Sequence, residues 1–112
     1  MELRHKGILK PDGSIELVDD PFVWAEWMEY SPDKILRQDE AAGFFVSTIF
    51  FGVDLGYGKR PIWFETMVFR QTDDDQPAAS RPVTQERYST RHEALAGHQR
   101  ILEAVRSGEI GE

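Results

Sequence analysis

Residues 62–69 read IWFETMVF, a run in which one carboxylate, Glu65, sits among aromatic and aliphatic side chains. A glutamate held in such surroundings is a candidate general acid or base, provided a partner reaches it. Two partners suggest themselves. Pairing the run 44–51 with 62–70 as a hairpin symmetric about its loop sets Phe51 opposite Ile62, Thr48 opposite Glu65 and Ser47 opposite Thr66. Thr48 could then donate to the carboxylate, which lowers the cost of burying it. His98 would meet Glu65 if the C-terminal helix packs on that face, as an acid–base pair or as a polar bridge that orients helix on sheet. A register slip of one residue reverses each of these assignments. No second carboxylate stands beside Glu65, as glycosidic chemistry would require. Glu65 and His98 are therefore weak catalytic candidates. The bland reading of Glu65 is a residue at the sheet's exposed end or paired with an arginine. With Thr48 and His98 as partners it reads as a buried or half-buried hydrogen-bonded carboxylate that fixes register and helix docking.

The segment GVDLGYGKRP between the two runs has three glycines, with Lys59-Arg60 adjacent. Backbone N–H groups freed by glycine can approach an anion, so Asp54, Lys59 and Arg60 form a candidate anion site, with Thr48 and Glu65 completing the candidate ligand-binding set. The segment matches neither the Walker pattern nor the dinucleotide fingerprint, and it links strand to strand. A loop that uses glycine only to turn explains it equally well. Of the three histidines, only His98 lies on an apolar helical face, without a second ligand at metal spacing, and there is no cysteine. No metal site, disulfide or cofactor is expected. Trp24 and Trp27 read as core or interface anchors, since no basic residues interleave them as a base-stacking platform needs.

These groups must be positioned by few elements. GILKPDGSIELV is a predicted hairpin, turning at Pro11-Asp12-Gly13. Asp19-Asp20-Pro21 opens a short Trp-bearing helix that stops at Ser31-Pro32. Residues 34–40 make a mixed strand, Ala41-Ala42-Gly43 a turn, and 44–51 and 62–70 two strong strands. Residues 71–87 read as a polar surface loop. The helix expected over 89–107 has a capping-box pattern, Thr90 to Glu93, and Ala94, Leu95, His98, Ile101, Leu102 and Val105 on one face. The order β-β-α-β-β-β-α predicts a single α+β domain over 1–112: an antiparallel sheet of about four to five strands packed with the C-terminal helix and the Trp-bearing helix. The central strands are apolar on both faces. The C-terminal helix is expected to cover one, and the Trp-bearing helix, the N-terminal hairpin or a second subunit the other.

Composition limits the function classes. The chain has 112 residues, 12% aromatic, and a net charge of −7 from 20 acidic and 13 basic residues. That balance opposes phosphate-backbone binding, so direct nucleic-acid binding is not expected. No apolar run reaches membrane-span or signal-peptide length, which predicts a cytoplasmic protein without membrane association.

Three blocks, VSTIFFGVDLGYG, PIWFETMVF and RYSTRHEALAGHQRILEAV, together resemble a group of small, mostly uncharacterised proteins of bacteriophages, prophages and actinobacterial genomes. The resemblance covers roughly residues 35–106. It marks Ser47, Thr48, Gly52, Asp54, Glu65, Thr66, Tyr88, Glu93 and His98, and it carries no catalytic assignment. Leu55 stands where the group has His, and Tyr57 where it has Phe, so an activity needing that His is missing here. The expectation is a non-enzymatic accessory protein that binds a host protein or sequesters a small anionic ligand, and so modulates host takeover or defence. The alternatives are a small hydrolase using Glu65 with His98, and an assembly protein. Under all three the doubly apolar strands imply a homo-oligomer, most simply a dimer.

Overall fold

The computed structural model describes residues 4–56, 60–71 and 82–110. Strands β1 (Gly7–Leu9) and β2 (Ile15–Leu17) form a two-stranded antiparallel sheet. Asp12 stabilises their turn by accepting from the backbone N–H and hydroxyl of Ser14, and Gly13 takes φ +91°. Helix α1 spans Pro21–Tyr30, capped by Asp20, whose carboxylate accepts the Phe22 N–H. After a 3-10 turn at Pro32–Lys34 come β3 (Ile35–Ala41), β4 (Phe44–Phe50), β5 (Phe64–Arg70) and β6 (Thr84–Tyr88). They make one antiparallel sheet in the order β3-β4-β5-β6, each strand beside its neighbour in sequence. The chain is thus an α+β fold, closed by helix α2 (Arg91–Arg106). Thr90 and Glu93 cap α2 reciprocally, as their spacing predicts.

The turn between β3 and β4 is two residues long, and both take positive φ, Ala42 at 52° and Gly43 at 82°. That is the primed geometry whose twist matches the flanking strands. Alternation along the strands then directs Phe44, Val46, Thr48, Phe50, Phe64, Thr66, Val68 and Tyr88 towards α2. Two clusters result. Val46, Val68, Ile101, Leu102 and Val105 pack beneath the second half of α2, and Leu9, Phe50, Trp63, Phe64, Tyr88 and Ala94 beneath its start. Trp27 meets Phe50 edge-on at 5.6 Å and Trp24 donates to the Gly52 carbonyl at 2.8 Å, so α1 and the hairpin extend this same side. The expectation that they cover the opposite face is corrected. Among the described elements none packs there, where Phe45, Ile49, Met67 and Phe69 are half-buried.

Three other expectations change. The 71–87 loop is shorter than expected, because Thr84–Arg87 belong to β6, while residues 72–81 lie outside the described residues. Leu95 is 39% exposed, and Gly97 takes the buried position in its place. The central register is one residue away from the symmetric guess: Thr48 faces Thr66, Ser47 faces Met67 and Ile49 faces Glu65. The cause is the loop. The Asp54 carboxylate accepts the Ile62 N–H and the Ile62 carbonyl accepts the Leu55 N–H, so Ile62 closes the loop instead of facing Phe51.

Gly97 has a specific reason to lack a side chain, since a Cβ there would stand 2.3 Å from the Tyr88 hydroxyl oxygen. Alanine ordinarily strengthens a helix relative to glycine. Here Gly97→Ala should instead lower stability by about 1–3 kcal/mol, through overpacking against an anchored ring. Urea unfolding of the variant checks this; an unchanged or raised midpoint would refute the packing assignment.

Candidate functional site

The densest polar arrangement lies between α2 and the sheet. His98 sits at the third buried position of α2's inner face and Thr48 and Thr66 lie opposite each other on β4 and β5, all three at 0% exposure. The His98 Nε2 is 2.8 Å from the Asp39 carboxylate, and its Nδ1 is 2.7 Å from the Thr48 hydroxyl. Thr48 and Thr66 share a hydrogen bond at 2.5 Å, and the Tyr88 hydroxyl donates to Thr66 at 3.1 Å. Arg37 braces the outer end, 2.8 Å from Asp39, and also donates to Gln99 on α2.

Electrostatics fix the direction of this chain. The hydrogen bond from His98 holds the Asp39 carboxylate below its ordinary range, with Arg37 adding to the effect, so Asp39 is ionised and can only accept. Burial pushes His98 below its ordinary value, more than Asp39 pulls it up, which favours neutral imidazole. Nε2 therefore carries the hydrogen and Nδ1 accepts from Thr48. Thr48 accepts from Thr66, and Thr66 from Tyr88. Among the described residues no buried side-chain nitrogen or oxygen is left without a hydrogen-bond partner.

Carboxylate, imidazole and hydroxyl in sequence are the parts of an activated nucleophile. Here the hydroxyl is inaccessible: of the linked groups before the carboxylate, Thr48, Thr66 and His98 are fully buried, and Tyr88 is 6% exposed. The arrangement therefore binds helix to sheet. A groove of about 360 Å³ opens between the hairpin turn, the 3-10 turn and the start of α2, lined by Leu9, Pro11, Ile35 and Leu95 with Lys10, Asp33 and Arg91. No member of the buried chain lines it.

The residues expected to act together are dispersed. Glu65 is buried on the opposite face of the sheet from His98, so the two do not meet, and Thr48 is not its partner. Glu65 instead pairs with Arg87, directly across on β6, at 2.8 Å. Glu65 therefore links β5 to β6, whereas the polar contact with the helix is made by Thr48 through His98. Asp54 is spent on the loop's own backbone, accepting from Gly56 and Ile62, and Arg60 pairs with Glu93 at 2.8 Å. Lys59 lies outside the described residues. Trp24 and Trp27 are half-buried and hold α1 to the rest of the chain. Among the described residues no group of three or more His, Asp or Glu is placed to hold a metal.

Sequence reading missed Asp39, Arg87 and the bridging role of Thr66. Asp39 lies in a polar stretch, RQDE, that looks like any solvated edge strand, and Arg87 lies in a segment read as loop. A usable signal did exist: a residue type able to donate to His98 recurs at 48 and 66, facing the helix once the register is right. No family model, curated protein or solved structure matches the chain.

The protonation states have a consequence for stability. A histidine whose folded value lies below its unfolded one makes the unfolded state bind more protons, so stability falls as pH drops below about 6.5. Asp39, lowered from 3.8, contributes stability above that value and loses it only in stronger acid. Wild-type Tm should therefore fall between about pH 7.5 and about pH 5, and His98→Gln, less stable at neutral pH, should show a flatter profile over that interval. A wild-type profile that rises on acidification would contradict the neutral assignment. At neutral pH Thr48→Val, which removes the hydroxyl and leaves Nδ1 without a donor, should cost about 1–3 kcal/mol by urea unfolding.

Proposed function

We propose that this protein is a non-enzymatic accessory protein of a phage or prophage that acts in the host cytoplasm by binding a host protein, without a cofactor. One observation carries the reading. Thr48 and His98, which could do chemistry, are sealed at 0% exposure, whereas the most exposed large hydrophobic side chains among the described residues are aromatic, Phe22 at 83% and Tyr30 at 74%. Large exposed aromatic surface contributes to recognition. The resemblance of the FETMVF and EALAGH blocks to small phage and prophage proteins supports the biological setting. Sequestration of a small anion is the weaker form, since Asp54 and Arg60 are engaged within the chain. A hydrolase built on Glu65 and His98 is weaker still, since the two occupy opposite faces of the sheet.

A second reading has its own observation. The sheet face bearing Phe45, Ile49, Met67 and Phe69 carries no described element, which favours an assembly role through homo-oligomer formation. Light scattering decides between one chain of 12.9 kDa and a multiple of it.

The sealed site is tested by chemical modification. Diethyl pyrocarbonate should acylate the exposed His5 and His92 in the folded protein and spare His98. Modification of His98 at a rate comparable to theirs, with circular dichroism unchanged, would show an open site and overturn the non-enzymatic reading.

A further inference from the structure

Helix α1 presents two different faces. Trp24, Trp27 and Met28 turn inward: Trp24 donates to the Gly52 carbonyl, Trp27 meets Phe50, and Met28 fills the space over Gly52, whose absent Cβ would lie 2.5 Å from its sulfur. These three hold the helix in place without any external partner. On the outer face Phe22 is 83% exposed, Val23 52% and Tyr30 74%. Phe22, Glu26 and Tyr30 recur at intervals of four and Val23 lies seven residues before Tyr30, so the exposed apolar side chains form one stripe. Single exposed apolar residues are ordinary on a surface, but three on one helical stripe are the pattern of helix-in-groove recognition.

Charge defines what the stripe can meet. Residues 19–33 hold five carboxylates, Asp19, Asp20, Glu26, Glu29 and Asp33, and no Lys or Arg. Among the described residues none of the five forms an ion pair. Lys34 points to the carbonyls of Glu29 and Ser31 at 3.3 and 3.4 Å. Two such helices facing each other would repel, as would nucleic acid or an anionic lipid surface.

We propose that the outer face of α1 is a docking helix whose occupant is a protein with an apolar cleft rimmed by Lys and Arg. Phe22 and Tyr30 seat in the cleft, Val23 fills the space beside Tyr30, and Glu26 and Glu29 meet the basic rim. Because the inner face keeps α1 folded and fixed, binding does not have to order it, which limits the entropic cost of association. The proposal rests on the binding-protein reading above and names its surface and the chemistry of its partner.

The test uses the full chain, expressed in cells of its source, with the photoreactive residue benzoylphenylalanine at position 22, 69 or 95. Irradiation at position 22 should give one discrete adduct that positions 69 and 95 do not give. The captured protein is then purified and its Kd for the unmodified chain measured. Phe22→Ala with Tyr30→Ala should weaken binding at least about 10-fold while leaving Tm within about 2 °C, since both rings are exposed. Glu26→Lys with Glu29→Lys should weaken it by about 10-fold or more, with the loss shrinking at high salt. Adducts with another protein from 69 or 95 but not 22 would overturn the α1 assignment and leave the binding-protein reading standing. No such adduct from any position would overturn both. An adduct at 22 whose affinity ignores both charge reversal and salt would overturn the basic rim.

Discussion

Everything on the helix side of the sheet depends on keeping one neutral imidazole supplied with a donor and an acceptor in a place water cannot reach. Burying a polar ring without partners costs several kcal/mol, comparable to a large part of a small domain's stability (about 5–15 kcal/mol). His98 therefore constrains four strands at once: Asp39 must come from β3, Thr48 from β4, and Thr66 and Tyr88 from β5 and β6 to complete the line of donors. A helix shifted by one turn would strand these hydroxyls and would bring a side chain to the place where only Gly97 fits against Tyr88. The other apolar contacts favour docking in general; the hydrogen-bond line and this close approach select one position. The exposed contacts at the rim, such as Arg100 with Glu86, add little, because solvent reaches both side chains and screens the pair.

Much of the architecture was legible because its signals are local. The Pro11-Asp12-Gly13 turn, the Asp20-Pro21 helix start and the Thr90–Glu93 box each act within a few residues, and all three form as their chemistry predicts. The two central strands were equally plain from their β-branched and aromatic content. What could not be read was whatever depends on a distant partner. Loop 52–63 sets the central register through Asp54, whose carboxylate reaches eight residues ahead to Ile62, and nothing local fixes that closure. One residue of slip then moved Glu65 to the far side of the sheet. β6 was hidden for a related reason: TQERY has little apolar content, and its strand character comes from pairing with β5. The candidate site followed the register. Thr48 and His98 do meet, but as each other's partners.

The two faces of the sheet illustrate how polar groups can be buried for different ends. Beneath α2 the polar groups form a directional series ending on a charge that reaches the surface at Asp39. On the other face the buried carboxylate of Glu65 is neutralised by an arginine that is itself half in water and whose guanidinium carbon lies 5.9 Å from the Phe51 ring centroid. The first arrangement orients an element; the second lets a charged residue sit among half-buried apolar side chains such as Ile49 and Met67. In the first, the imidazole and both threonine hydroxyls are fully enclosed, and only the carboxylate end meets solvent.

The outer strands carry a further consequence. A meander leaves its first and last strands with one unpaired backbone edge each, and such edges invite extra strands from other molecules. β3 contains Arg37, Asp39 and Glu40, and β6 contains Glu86 and Arg87, so both borders of the sheet bristle with charge. In-register parallel addition of a second copy would set each of these charges beside its like, so the charged borders oppose that mode of edge-to-edge growth in an aromatic-rich chain.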